Sequence, residues 1–205
     1  MTRWFWWLGA VALLACALAW PLNPGAGLSL NPADLAEWTS LNPVIRAQSP
    51  PLAATFLLRT PLLVVAALFG LAAGRSARWL ALLLILVLAA AQLPPFEFVR
   101  DLANANYQQQ ALLAALTTLA GLLALFVLPR SRAPGVGAAA AIAGLAAAFI
   151  GACSAITEMR ALGLNTVAGP GLGVYSAALV IAAVLPAISA GIKKRRAETP
   201  RSEVL

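Results

Sequence analysis

The sequence predicts an all-α polytopic membrane protein, a bundle of six transmembrane helices with short outer-face interfacial helices. Three observations predict it. Hydrophobic residues make up 61% of the 205 and charged residues only 10%, whereas a soluble domain carries about 25% charged residues. The apolar residues fall in long Leu/Ala-rich runs without strict alternation, which favours helices over barrel strands. The basic residues collect at the ends of those runs, as cations flank membrane spans. A net charge of +7 distributed this way implies no nucleic-acid partner. The expected partners are the lipid bilayer and other membrane subunits or further copies of the chain.

A span needs roughly 20 apolar residues. The runs that qualify are about 4–20, 52–74, 79–93, 111–128, 136–162 and 172–192, so residues 1–192 form the transmembrane domain. The first run begins after Arg3 and contains Leu13-Leu14-Ala15-Cys16, which resembles a lipobox. The residues after Cys16 stay apolar, so a retained helix is expected rather than a cleaved or lipidated leader.

Residues 21–51 form an outer cap. Leu-Asn-Pro occurs three times there, ending at Pro24, Pro32 and Pro43. Asn caps helices and Pro pre-sets a first turn, so two short interfacial helices are expected over 32–40 and 43–48. Leu35 and Trp38 are expected to face lipid headgroups.

Spans two and three, and four and five, are joined by short basic links around Arg75 and Arg130. Short links make antiparallel hairpins. In span five, Gly137, Gly144 and Gly151 recur every seven residues. Small residues let helix backbones approach closely in lipid, so this helix is expected at the centre or at an oligomer seam. Gly169-Pro170-Gly171 precedes span six and reads as a flexible link, and Pro186 lies within that span. Residues 193–205 read as a disordered basic tail.

With the N-terminus in the cytoplasm, ten cations fall inside: Arg3, Arg75, Arg78, Arg130, Arg132, Lys193, Lys194, Arg195, Arg196 and Arg201. Four fall outside: Arg46, Arg59, Arg100 and Arg160. The positive-inside rule selects this orientation. Both termini are then cytoplasmic, in a plasma or bacterial inner membrane, and Trp20 lies at the outer interface.

The chain has no histidine and two cysteines, Cys16 and Cys153, far apart in sequence. That excludes histidine-based metal and nucleophile systems and supports no CxxC site. No metal and no cofactor are expected. A disulfide between the two cysteines stays open.

Candidate ligand-binding residues lie on the outer side. The segment 94–110, read as a helix, places Glu97, Asp101, Asn104 and Gln108 on one face and Arg100, Asn104 and Tyr107 on an adjacent stripe. Arg59 sits within the second apolar run, where an arginine is costly unless paired or snorkelling. Its expected partners are Glu158, Glu97 or Asp101, or an anionic ligand. Glu158 could instead pair locally with Arg160. The leading expectation for function is a non-catalytic accessory or scaffold subunit of a larger membrane complex. The alternatives are a small transporter or solute-binding subunit with an outward-facing polar pocket, and an enzyme on lipid-linked substrates.

Overall fold

The computed structural model describes residues 3–47 and 49–198, with side chains through Ile192. Its helices are α1 (Trp4–Ala17), α2 (Pro32–Leu41), α3 (Pro43–Arg46), α4 (Ala53–Ala72), α5 (Arg78–Ala90), α6 (Ala105–Leu122), α7 (Ala133–Ala161) and α8 (Pro170–Glu198). Four segments are long and apolar enough to cross a membrane: Ala53–Ala72, Ala105–Val127, Ala133–Ala161 and Pro170–Ile192. Helices α1 and α5 are apolar but shorter.

Helix α4 is the hub. It is the most buried of the four long helices, and α1, α2, α5, α6 and α7 all pack on it. Helix α8 closes the far side against α1 and α7. Pro61 lies inside α4, so its missing N–H leaves the Leu57 carbonyl without a helical donor. The Thr60 hydroxyl donates to that carbonyl at 2.7 Å and fills the gap. At the other end of α4, the Arg130 guanidinium donates to Leu71 O at 3.0 Å and also to Ala73 O. These are among the carbonyls that a helix C-terminus leaves unsatisfied.

The glycines of α7 make close seams. A Cβ at Gly137 would fall 2.5 Å from the Phe5 ring, and one at Gly144 would fall 2.6 Å from Val64 Cγ2. At Gly151 it would meet Leu58 at 3.2 Å. The heptad stripe is thus used inside the molecule, against α1 and α4. Helix α6 ends in a π-turn over Leu123–Val127, with Leu128 N donating to Leu123 O at 2.9 Å.

The cap folds as the Asn-Pro pairs direct. Asn31 Oδ1 accepts from the backbone of Ala33 and Asp34 to start α2, and Asn42 Oδ1 accepts from Val44 to start α3. Helix α3 ends at Arg46, and Gln48, where it was expected to end, lies outside the described residues. The apolar face of α2 turns toward the bundle and not outward. Leu35, Ala36 and Ile45 are fully buried, while Leu41 and Val44 are exposed. A hydrogen bond of 2.9 Å between the Thr39 and Thr55 hydroxyls fastens α2 to α4.

Three short strands were not foreseen: β1 (Pro21–Asn23), β2 (Leu28–Ser29) and β3 (Val167–Ala168), antiparallel in the order β2-β1-β3. They join the start of the cap to the α7–α8 link. That link is held tightly. Gly171 N donates to Ala19 O at 2.8 Å, and a Cβ at Gly169 would overlap Ala19 O. Trp20 is fully buried rather than interfacial. Its indole donates to Ala15 O at 3.1 Å, and its ring lies 5.3 Å from that of Tyr175. Helix α8 continues to Glu198, so residues 193–198 are helical where a disordered tail was expected. Residues 199–205 lie outside the described residues.

Candidate functional site

A cleft of about 690 Å³ opens beneath the cap, within the size range of small-molecule sites. Helix α4 supplies Leu58, Arg59, Pro61 and Leu62 as its back wall. The cap contributes Asp34, Glu37, Ser40 and Arg46. The ends of α5 and α6 contribute Gln92, Leu93, Asn104, Asn106, Tyr107 and Gln110, and α1 contributes Cys16.

Arg59 organises the polar end. It lies six residues into α4, about 9 Å along the helix at 1.5 Å per residue, and is only 8% exposed. One terminal nitrogen donates to Glu37 Oε1 at 2.5 Å, and the other donates to Asn106 Oδ1 at 2.7 Å. The Gln110 amide donates to the same Glu37 oxygen at 2.9 Å. These four side chains come from α2, α4 and α6 and converge on one point. Glu37 is half exposed, so the pair sits at the edge of the cleft, not sealed inside the protein. A guanidinium has five N–H donors, and two suffice for these partners.

Among the described residues this is the single salt bridge. Its acid is Glu37, and none of Glu158, Glu97 and Asp101 bonds to Arg59. The other two charged residues of the cleft, Asp34 and Arg46, are exposed and have no ion-pair partner among the described residues. Asp34 accepts from the Asn31 amide at 2.7 Å through one oxygen.

Of the residues marked out by sequence, the cleft gathers Arg59, Asn104 and Tyr107. It does not gather Glu97, Arg100, Asp101 or Glu158. The chain between α5 and α6 is not one helix. A 3-10 turn spans Phe96–Val99, and α6 begins only at Ala105 with Asn104 as its cap, accepting from Asn106 N at 3.1 Å. Glu97 on this turn and Arg100 and Asp101 just after it are exposed, and Asp101 accepts from the Asn104 amide at 3.1 Å. Tyr107 is held against Phe98, edge to face, with ring centres 6.5 Å apart. Glu158 lies on α7, away from the cleft. Its neighbour Arg160 donates to Thr166 O at 2.9 Å.

Sequence reasoning missed Glu37, Asn106, Gln110 and Gln92. Gln92 is 5% exposed and donates to Thr117 Oγ1 at 2.6 Å, while its amide oxygen has no partner. An Asn-Tyr-Gln-Gln-Gln run at the mouth of an apolar helix was the available signal for Asn106 and Gln110. Both cysteines are free: Cys16 borders the cleft and Cys153 is exposed on α7. No cluster of three metal-binding side chains occurs among the described residues.

Compared with known proteins, the chain matches no family model, no curated protein and no solved structure.

Proposed function

We propose that the chain is a multi-pass membrane protein of six spans that binds a small ligand in the cleft beneath its cap. The observation that carries this reading is the convergence of Arg59, Glu37, Asn106 and Gln110 at one end of a 690 Å³ cleft. A buried arginine in an apolar helix is costly, and here it lies where a ligand can reach it. Asn104, Tyr107 and Gln92 add further hydrogen-bonding groups around the same space.

Helices α1 and α5 complete six spans in this reading. At 14 and 13 residues they run about 20 Å, short of a 30 Å hydrocarbon core. Both pack on α4, and their flanking residues and local bilayer thinning accommodate the difference. The ten-to-four division of cations supports cytoplasmic termini with the cap on the opposite side. Reporter fusions at the two ends test this: both report the cytoplasm, and opposite compartments overturn it.

The accessory-subunit alternative drew on the small residues of α7 as a seam for a partner. Those glycines meet α1 and α4 within the monomer, so ligand binding is the reading the geometry favours. The test is thermal stabilisation of the detergent-solubilised chain across a panel of solutes and lipids. A ligand of the cleft raises the melting temperature of the wild type and not of Asn106→Leu. A panel that shifts neither protein removes the proposal.

A further inference from the structure

The cleft has a chemical polarity that narrows its ligand. Leu58, Pro61, Leu62 and Leu93 give it apolar lining. The same lining carries two acids and two bases, Asp34, Glu37, Arg46 and Arg59. Their charges cancel, so the cleft as a whole exerts no net pull on an anion or a cation. Charges of both signs nevertheless line it. Only Arg59 and Glu37 are joined by a salt bridge, while Asp34 and Arg46 are exposed and unpaired among the described residues.

The walls also come from apolar helices. Cys16 on α1 and Leu93 after α5 both border the cleft, and α1 and α5 each pack on α4, whose half-buried Leu62 also lines it. Arg59 stands about 9 Å along α4 from its start, within a segment long and apolar enough to cross a membrane. A hydrocarbon chain suits the apolar lining, and a head with both charges suits the charged residues.

Resting on the ligand-binding reading above, we propose that the cleft holds a membrane lipid with a zwitterionic headgroup of the phosphoethanolamine type. Its phosphate lies toward Arg46 and Arg59, its ammonium toward Asp34 and Glu37, and an acyl chain covers Leu62. Arg59 keeps its bond to Glu37 in this arrangement, because the guanidinium has donors to spare.

The experiment uses the full chain, delipidated in maltoside micelles and followed by thermal unfolding. Three lipids are titrated into the micelles, a phosphatidylethanolamine, a phosphatidylglycerol and a diacylglycerol, alongside water-soluble phosphoethanolamine. Phosphatidylethanolamine raises the melting temperature, and the other three do so weakly or not at all. Arg46→Gln and Asp34→Asn, both at exposed positions, each weaken the response about tenfold in lipid concentration, the size of one lost charge-assisted contact. Leu62→Trp, which fills the apolar wall, abolishes it. Equal stabilisation by phosphatidylglycerol or diacylglycerol, or variants that respond like the wild type, overturns the proposal. Equal binding of free phosphoethanolamine overturns the part played by the chain. Inert lipids with a water-soluble solute that stabilises wild type but not Asn106→Leu overturn this inference and leave the broader ligand-binding reading standing.

Discussion

Glu37 on the cap and Arg59 within the central helix meet at 2.5 Å, and this contact joins α2 to α4 across 22 positions of sequence. Gln110 and Asn106 bring α6 to the same point. One charged pair therefore fastens three elements and borders the cleft.

The pair should show measurable coupling. In a double-mutant cycle on unfolding, Arg59→Met and Glu37→Gln are expected to couple by about 0.5–3 kcal/mol, the range for residues within one polar network. Arg59→Lys should not restore it, since an ammonium cannot reproduce the two-armed contact of a guanidinium. Additive single-variant effects would show that the contact contributes nothing to stability.

Gly144→Val is expected to lower stability by roughly 1–3 kcal/mol, the usual cost of overpacking, because a Cβ would already lie 2.6 Å from Val64. Gly135→Ala, where an added Cβ meets nothing within 4 Å, is the control and should be neutral or slightly stabilising. Melting temperatures in detergent decide this. Equal effects at both positions would refute the internal seam.

Arg130→Gln removes the side chain that satisfies the last carbonyls of α4. The expected loss is about 1–3 kcal/mol, the cost of leaving buried acceptors unmatched. Hydrogen exchange should locate the weakening in the final turn of α4, ahead of its first turn. Uniform exchange along the helix would count against the cap.

The two thiols should differ in reach and agree in redox state. Both are free, so two thiols per chain should titrate after denaturation without reductant. In the folded protein maleimide should label the exposed Cys153 and leave Cys16, partly buried beside the cleft, unlabelled until denaturation.

Much of this fold could be read from local pattern. Asn31-Pro32 and Asn42-Pro43 start helices where an amide cap and a fixed φ demand it, and the spacing of Gly137, Gly144 and Gly151 marks a close-packed face. Arg59 was recognisable because an arginine in an apolar run needs a partner. Its partner was not, because Glu37 arrives only through the folding back of the cap, a long-range event that leaves no periodic trace. The segment before α6 misled for a related reason. Its polar residues fit a helical face, but Asn104 competes with the backbone for the Asn106 N–H and starts a new helix there. The strands are two or three residues long, too short for alternation to register. The buried face of α2 was also misjudged, since Leu35 in a polar cap reads equally well as lipid-facing or core-facing until the bundle beneath it is known.

The π-turn over Leu123–Val127 inserts one extra residue into the turn of α6, shifting by about 100° the direction in which every later side chain projects. Ala124 and Leu125 can therefore both be buried against neighbouring helices in a segment where Leu123, Phe126 and Val127 remain exposed. Deleting a single residue here would be a rotation and not a simple shortening: it would turn the basic hairpin around Arg130 away from the end of α4 and release the carbonyls it holds, although no residue of that hairpin had been altered.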